Sequence, residues 1–152
     1  MSLDRLGPGA VATVPPDCLV CEAARLMTMY SVGALVIADS RYAKPRGIIT
    51  DRDLVKLIGE GLDPKVTTVA SFVGPPLETA PAEAGAEELL AHMHKAGVRR
   101  LPLVDHEGRL FDIVSLDDLL VRLGKQLGQV AETIEREFQQ EHPTASAQEQ
   151  AH

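Results

Sequence analysis

Residues 46–54 read RGIITDRDL, and residues 111–119 read FDIVSLDDL. Each is a β-branched run, a hydroxyl residue, two spacers, an aspartate and a leucine. A chain that carries one such phrase twice has few folds open to it, because a duplicated unit must repeat its elements and its packing. A shift of 66 extends the match upstream, setting residues 13–39 against 79–105. Thr13, Pro15, Glu22, Met27, Val32, Leu35 and Asp39 then meet Thr79, Pro81, Glu88, Met93, Val98, Leu101 and Asp105. Beyond a one-residue difference in the next loop, Ile48, Thr50, Asp53 and Leu54 meet Ile113, Ser115, Asp118 and Leu119. The identities keep their order over the whole span, which points to duplication.

Both units show the same element order. A short strand (11–14; 77–79) leads into a Pro-containing turn, PPD or APAE. An amphipathic helix follows, with Ala23, Leu26, Met27 and Tyr30 on one face in the first copy and Leu89, Leu90 and Met93 in the second. Strands at 34–38 and 101–104, a turn (DSRYAKPRG; DHEGR) and strands at 47–50 and 110–115 come next, and a second helix closes each unit. The expected division is 1–60 for repeat one, 61–76 for a linker, 77–124 for repeat two, 125–141 for a helical extension and 142–152 for a disordered tail. Within the Gly/Pro-rich linker, a short apolar turn falls at 66–72 and residues 62–65 are expected to be the least constrained. In the last helix Leu116, Leu119, Leu120, Leu123, Leu127, Val130, Ile134 and Phe138 keep a 3–4 spacing for about six turns. Its distal face needs cover, either its own module or a second copy.

Bulk properties narrow the function classes. Apolar residues make up 45% of the chain and charged residues 24%, as in an ordinary globular protein. No apolar run approaches the roughly 20 residues that span a bilayer, and MSLDRLGPGAV lacks the basic start and apolar stretch of a signal peptide. A cytoplasmic protein without membrane attachment is expected. The net charge of −7 disfavours nucleic acid, whose binding rests on Lys and Arg neutralising phosphates. Cys18 and Cys21 form CLVC, a spacing that suits a dithiol switch or half a metal site. No second C-x-x-C accompanies it, and His92 and His94 read as the solvated side of a helix, so a redox role is not favoured and no metal site is expected.

The opening phrase has two compatible readings. Thr50-Asp-Arg-Asp53 and Ser115-Leu-Asp-Asp118 each fit a capping box, hydroxyl and acid three residues apart before an apolar run. The phrase also sits at a strand-to-helix junction, where backbone N–H groups and the helix dipole favour an anion. An aspartate one turn in can accept hydrogen bonds from vicinal hydroxyls, as on a ribose.

The two units, TVPPDCLVCEAARLMTMYSVGALVIAD with RGIITDRDL and TAPAEAGAEELLAHMHKAGVRRLPLVDHEGRLFDIVSLDDL, resemble a tandem pair of cystathionine-β-synthase (CBS) domains of the small stand-alone bacterial type. The resemblance covers about residues 3–140. It implies an α/β (α+β) fold of two β-α-β-β-α repeats packed about a pseudo-two-fold axis, and a non-enzymatic sensor of energy state or metabolites. The ligand would be an adenine nucleotide or related adenosyl compound (AMP, ADP, ATP or S-adenosylmethionine), with no cofactor required. Carried over by motif, site one uses Thr13 and Val14 beside the base, Thr50 and Arg52 on phosphate, and Asp53 on ribose, with Gly47 permitting close backbone approach. Site two uses Thr79 and Ala80 beside the base, Ser115 on phosphate and Asp118 on ribose. Arg99 and Arg100 could turn toward either cleft, although neighbours on a strand face opposite ways. The second copy replaces Gly47 by Asp112 and Arg52 by Asp117, so phosphate is expected to bind more tightly at site one. A homodimer of pairs and a regulated protein partner are further expectations. The other reading is a scaffold with vestigial clefts that works through dimerisation and its C-terminal helix.

Overall fold

The computed structural model describes residues 11–41, 43–74 and 76–142. The expected disordered tail, apart from His142, lies outside them. One body comprises the strands and first three helices, and a second is the long C-terminal helix. In the first body, β1 (Thr13–Val14), α1 (Val20–Tyr30), β2 (Ala34–Ile37), β3 (Gly47–Thr50) and α2 (Asp51–Gly59) make one repeat. After a 3-10 turn at Val69–Phe72 come β4 (Ala80–Pro81), α3 (Ala86–Ala96), β5 (Arg100–Val104) and β6 (Leu110–Ser115). Each repeat builds a three-stranded sheet, in the orders β1-β2-β3 and β4-β5-β6, parallel at the first pairing and antiparallel at the second.

The strand register carries the duplication at atomic detail. Val14 pairs with Ile37 and Ala80 with Leu103, both offset by the sequence shift; Ala34 pairs with Thr50 and Arg100 with Ser115. Two departures have local causes. In repeat one Val36 N donates to Ala12 O at 3.1 Å, but the matching residue in repeat two is Pro102, which has no N–H. That rung is lost, so β4 starts at Ala80 instead of spanning 77–79. In β6 the pairing moves from Leu103–Asp112 to Val104–Leu110. Phe111 is the extra residue of this bulge.

Repeat one packs α1 and α2 over one face of its sheet. Val14, Ala23, Met27, Leu35, Ile37, Ile49, Leu54 and Leu57 form a continuous core. Val36 is fully buried yet lies outside that cluster, so the other face of β2 is covered too, as strand alternation requires. On α1 the apolar stripe is narrower than expected: Ala23 and Met27 are buried, Leu26 is half-buried and Tyr30 is exposed. In repeat two Leu89 and Met93 are buried. Each β2–β3-type loop is closed by an aspartate and an arginine, Asp39 with Arg46 at 2.9 Å and Asp105 with Arg109 at 3.0 Å. The loops also meet across the repeats, where Leu110 N donates to Ala43 O at 3.0 Å.

The linker is more constrained than its composition suggests. Residues 62–65 do not hang free. Pro64 O accepts from Cys21 N at 3.0 Å and Thr67 O from Val20 N at 2.9 Å, while Val69 N donates to Cys18 O. The first amides of α1, which have no partner inside a helix, are thus satisfied by linker carbonyls. Val69 is buried in the repeat-one core.

The second body, α4 (Leu116–Glu141), is one unbroken helix of 26 residues, about 39 Å long at ~1.5 Å per residue. Leu119 is buried, whereas Leu127, Val130, Ile134 and Phe138 are exposed.

The helix C-caps of the repeats offer a stability test. Gly97 ends α3 at φ 68°, and its counterpart Ser31 ends α1 at φ 52°. A left-handed residue with a Cβ costs about 1–2 kcal/mol, of which the looser unfolded chain of a glycine variant takes back about 0.4–1 kcal/mol. Ser31→Gly is expected to raise stability by about 0.5–1 kcal/mol, read as a higher urea midpoint at unchanged slope.

Candidate functional site

At the β3–α2 junction, Thr50 is the N-cap of α2 in extended conformation (φ −113°, ψ 163°). Its N–H and its hydroxyl both donate to Asp53 Oδ2, at 2.8 and 2.9 Å, and Asp53 N donates back to Thr50 Oγ1 at 3.3 Å. This is the expected capping box, and it fixes the aspartate rotamer. Both side-chain bonds fall on Oδ2, so the carboxylate is held by one oxygen. Asp51 N donates to Gly33 O at 3.0 Å, tying the helix start to the entry of β2. Arg52 is exposed.

A cation from repeat two reaches this junction. A Cβ built on Gly33 would lie 3.2 Å from Arg100 Nη2 and 3.5 Å from Asp51 Oδ2. The Arg100 guanidinium and the Asp51 carboxylate therefore converge over a residue that has no side chain to exclude them. Of the two adjacent arginines, Arg100 is half-buried and turns toward repeat one; Arg99 is exposed, just before β5. The approach of Arg100 to Gly33 was not legible in the repeat alignment, which matches Gly33 with Arg99. The signal present in the sequence was a glycine between the end of α1 and an apolar strand.

Gly47 is explained by the chain itself. A Cβ there would stand 2.5 Å from Phe72 O, because Val73 bridges to Gly47 at the end of the linker. The close backbone approach inferred from the motif is made by the linker. Thr13 and Val14 divide their tasks. Val14 points into the core at 2% exposure, and Ala12 O and Val14 O are occupied by Val36 N and Ala38 N. The backbone groups of Thr13 then face away from β2, so Thr13 presents the open strand edge and Val14 supports it.

In repeat two, Thr79 is half-buried and precedes β4, Ala80 is buried within it, and Ser115 is half-buried at the end of β6. Asp112 accepts from Ile113 N at 2.6 Å. Asp117 and Asp118 lie in the first turn of α4, both exposed. A cavity of about 590 Å³ has Thr13 and Val14 in its wall together with Asp17, Cys18, Glu22 and Arg25; Thr50 and Asp53 do not line it.

Cys18 and Cys21 are free thiols. Burial pushes the Cys18 thiol above its ordinary value, and Glu22, whose carboxylate accepts from it at 3.8 Å, pushes the same way. A raised value keeps the sulfur protonated and unreactive near neutrality. His92 bonds Glu78 at 2.8 Å on the surface. Among the described residues, no group of three or more His, Cys, Asp or Glu side chains is placed to hold a metal ion, and no helix is long and apolar enough to cross a membrane.

Two copies of a β-α-β-β-α unit, each with a hydroxyl–aspartate junction, have counterparts among known proteins. The CBS domain model matches twice, over residues 10–60 and 69–125. This chain belongs to the CBS-domain family. It is 35% identical over 112 residues to the CBS domain-containing protein YhcV of Bacillus subtilis, covering 73% of this chain and 77% of that one. An inosine-5'-monophosphate dehydrogenase of Methanocaldococcus jannaschii is 37% identical over 112 residues, 74% of this chain but only 21% of the enzyme. An uncharacterized protein of Methanopyrus kandleri, 34% identical over 111 residues and 72% of this chain, is matched over 56% of its own length. Among solved structures, a CBS-domain containing protein of Agrobacterium tumefaciens superposes with a TM-score of 0.66 at 31% identity, covering 78% and 87% of the two chains. The cytosolic domain of the Mg2+ channel MgtE in complex with ATP gives 0.60 at 27%, covering 73% and 44%.

Two measurements test these assignments. Gly47→Ala must push the Phe72 backbone aside, so it is expected to lose about 1–3 kcal/mol of unfolding free energy in urea titration. Cys18 in the native protein is expected to react with iodoacetamide at pH 7.5 at least tenfold more slowly than in the urea-unfolded chain. The rate should climb as pH rises, since only the thiolate attacks.

Proposed function

We propose that the chain is a non-enzymatic regulatory module that binds an adenine nucleotide or another adenosyl ligand, with the β3–α2 junction as its stronger site. The observation that carries this reading is the approach of Arg100 from repeat two to Gly33 and to the carboxylate of Asp51, the first residue of α2, whose N-cap is Thr50. A helix N-terminus with a cation at hand suits phosphate. Asp53 Oδ1, opposite the oxygen used by Thr50, suits a ribose hydroxyl. The open backbone edge at Thr13 suits the hydrogen-bonding edge of a base. Membership of the CBS family and the likeness to the cytosolic domain of the Mg2+ channel MgtE, solved in complex with ATP, support the same class of ligand. The second copy, with Thr79, Ala80, Ser115 and Asp118, has Asp117 where the first has Arg52, so it is the weaker phosphate site. The IMP dehydrogenase relative shares only this regulatory portion of its length, which gives no reason to expect that enzyme's activity here.

A second reading, a scaffold that regulates a protein partner through dimerisation, is favoured by the exposed apolar stripe of α4. Differential scanning fluorimetry with AMP, ATP and S-adenosylmethionine separates the two, because a ligand of the folded state must raise the melting temperature. No shift with any of the three favours the scaffold. Calorimetry then locates the site. Asp53→Ala is expected to weaken AMP binding at least tenfold, and Asp118→Ala to leave the tighter isotherm near that of the wild type. Asp53→Asn keeps a cap acceptor and controls for loss of the helix start. An unchanged isotherm for Asp53→Ala removes the assignment.

A further inference from the structure

In repeat one the chain that follows α2 returns to the start of α1. Thr67 O accepts from Val20 N, Val69 N donates to Cys18 O, Thr68 bridges to Leu19 and Val73 bridges to Gly47. Val69 is buried in the core, and Phe72 packs half-buried against it. Repeat two has no such return, because α4 begins directly after β6 and runs on as one helix. Its first helix nevertheless presents the same groups. Ala84 O and Ala86 N, the counterparts of Cys18 O and Val20 N, take no backbone partner among the described residues. Amides at a helix start have no acceptor inside the helix and call for one from outside it.

We infer that residues 2–7 of this chain cover repeat two as the linker covers repeat one. At the shift of 66 that relates the repeats, Ser2 meets Thr68, the N-cap of the 3-10 turn, Leu3 meets Val69 and Leu6 meets Phe72. Leu3 and Leu6 keep the three-residue spacing that puts both side chains on one face of such a turn. Residues 143–152 contain no Leu, Val, Ile or Phe, so the other end of the chain lacks the pattern. The tethers match too: Ala80 of β4 lies seven positions after Val73, and Val14 of β1 seven after Gly7. The glycines supply a second argument. In repeat one the bridge joins Gly47 on the strand to Val73 on the covering segment; the corresponding pair is Asp112 on the strand and Gly7 on the segment. A Cβ at the strand position stands 2.5 Å from the covering carbonyl in repeat one, so over Asp112 the covering backbone has to turn aside. Glycine next to that carbonyl is the residue best able to do so. Volume is exchanged likewise, since Cys18 and Val69 of the first core are matched by the smaller Ala84 and the larger Leu3. None of this depends on nucleotide binding.

Disulfide trapping on the full chain tests it. In a Cys18→Ala, Cys21→Ser background, Ser2→Cys is combined either with Gly85→Cys, the counterpart of the Thr68–Leu19 bridge, or with Leu19→Cys. Gly85 has room for the new side chain, as a Cβ there meets nothing within 4 Å. Residues facing each other across a bridge lie within disulfide reach. After oxidation with diamide, mass spectrometry is expected to show the 2–85 disulfide forming within one chain at least tenfold faster than the 2–19 disulfide, because the linker holds the place beside residue 19. Equal rates, no 2–85 product, or a 2–85 disulfide found only between two chains overturns the proposal. Hydrogen exchange gives a second readout. Leu3→Asp is expected to speed exchange of the first-turn amides of α3, Ala86 foremost, at least tenfold while those of α1 keep their wild-type rates, and Leu3→Val, which installs the linker's own residue, is expected to retain protection. Unchanged exchange at α3 in Leu3→Asp, or an equal loss at α1, also overturns it.

Discussion

The arrangement of repeat one depends on where the orphan amides at the start of α1 find acceptors. They find them in the linker, through Pro64 and Thr67, and the linker in return uses Cys18 O and the bared backbone at Gly47. Unmet backbone groups in a half-buried setting cost about 1–3 kcal/mol each, so this mutual satisfaction fixes the linker's path. The path in turn seats Val69 in the core and lays Phe72 O against β3. The start of β3 therefore has to be glycine, and the helix that follows begins at a defined place. The candidate site inherits its geometry from that chain of contacts.

The junction then shows how one local motif serves stability and recognition together. Thr50 and Asp53 satisfy each other, and the box leaves the helix N-terminus oriented with a fixed carboxylate beside it. Gly33, bare of side chain, lets Arg100 come close from the other repeat. Repeat two keeps the hydroxyl and the aspartate but not the arginine of the phrase, and its middle strand contains Pro102 in place of Val36. Sequence divergence after duplication has thus changed both the charge of the second junction and the residue at which its edge strand begins.

Much of this was legible beforehand because it rests on local periodicity and repetition. The β2, β3 and β6 strands, the Thr50–Asp53 cap and the long last helix follow from alternation, capping chemistry and a 3–4 spacing that any reader can count. What escaped depended on non-local partners. Residues 62–65 looked loose because Gly and Pro were the local signal, whereas their order comes from hydrogen bonds to α1. Tyr30 fitted the apolar face by spacing but sits at the last turn, where the sheet no longer covers it. The 77–79 strand was misplaced because the missing donor, Pro102, lies some twenty residues away in sequence. At Gly47 the closely approaching backbone is the protein's own, that of Phe72.

The linker contacts also bear on how such a chain can be divided. The duplicated segment, read from sequence, ends before the linker begins its return. Yet the caps of α1, the cover over Gly47 and one of the fully buried valines of the first core all come from residues 64–73. A fragment cut at the end of α2 would retain every residue of the ancestral unit and lack the backbone acceptors that its first helix uses. The segment that was copied and the segment that can stand alone are different lengths of chain, and the difference between them is the linker.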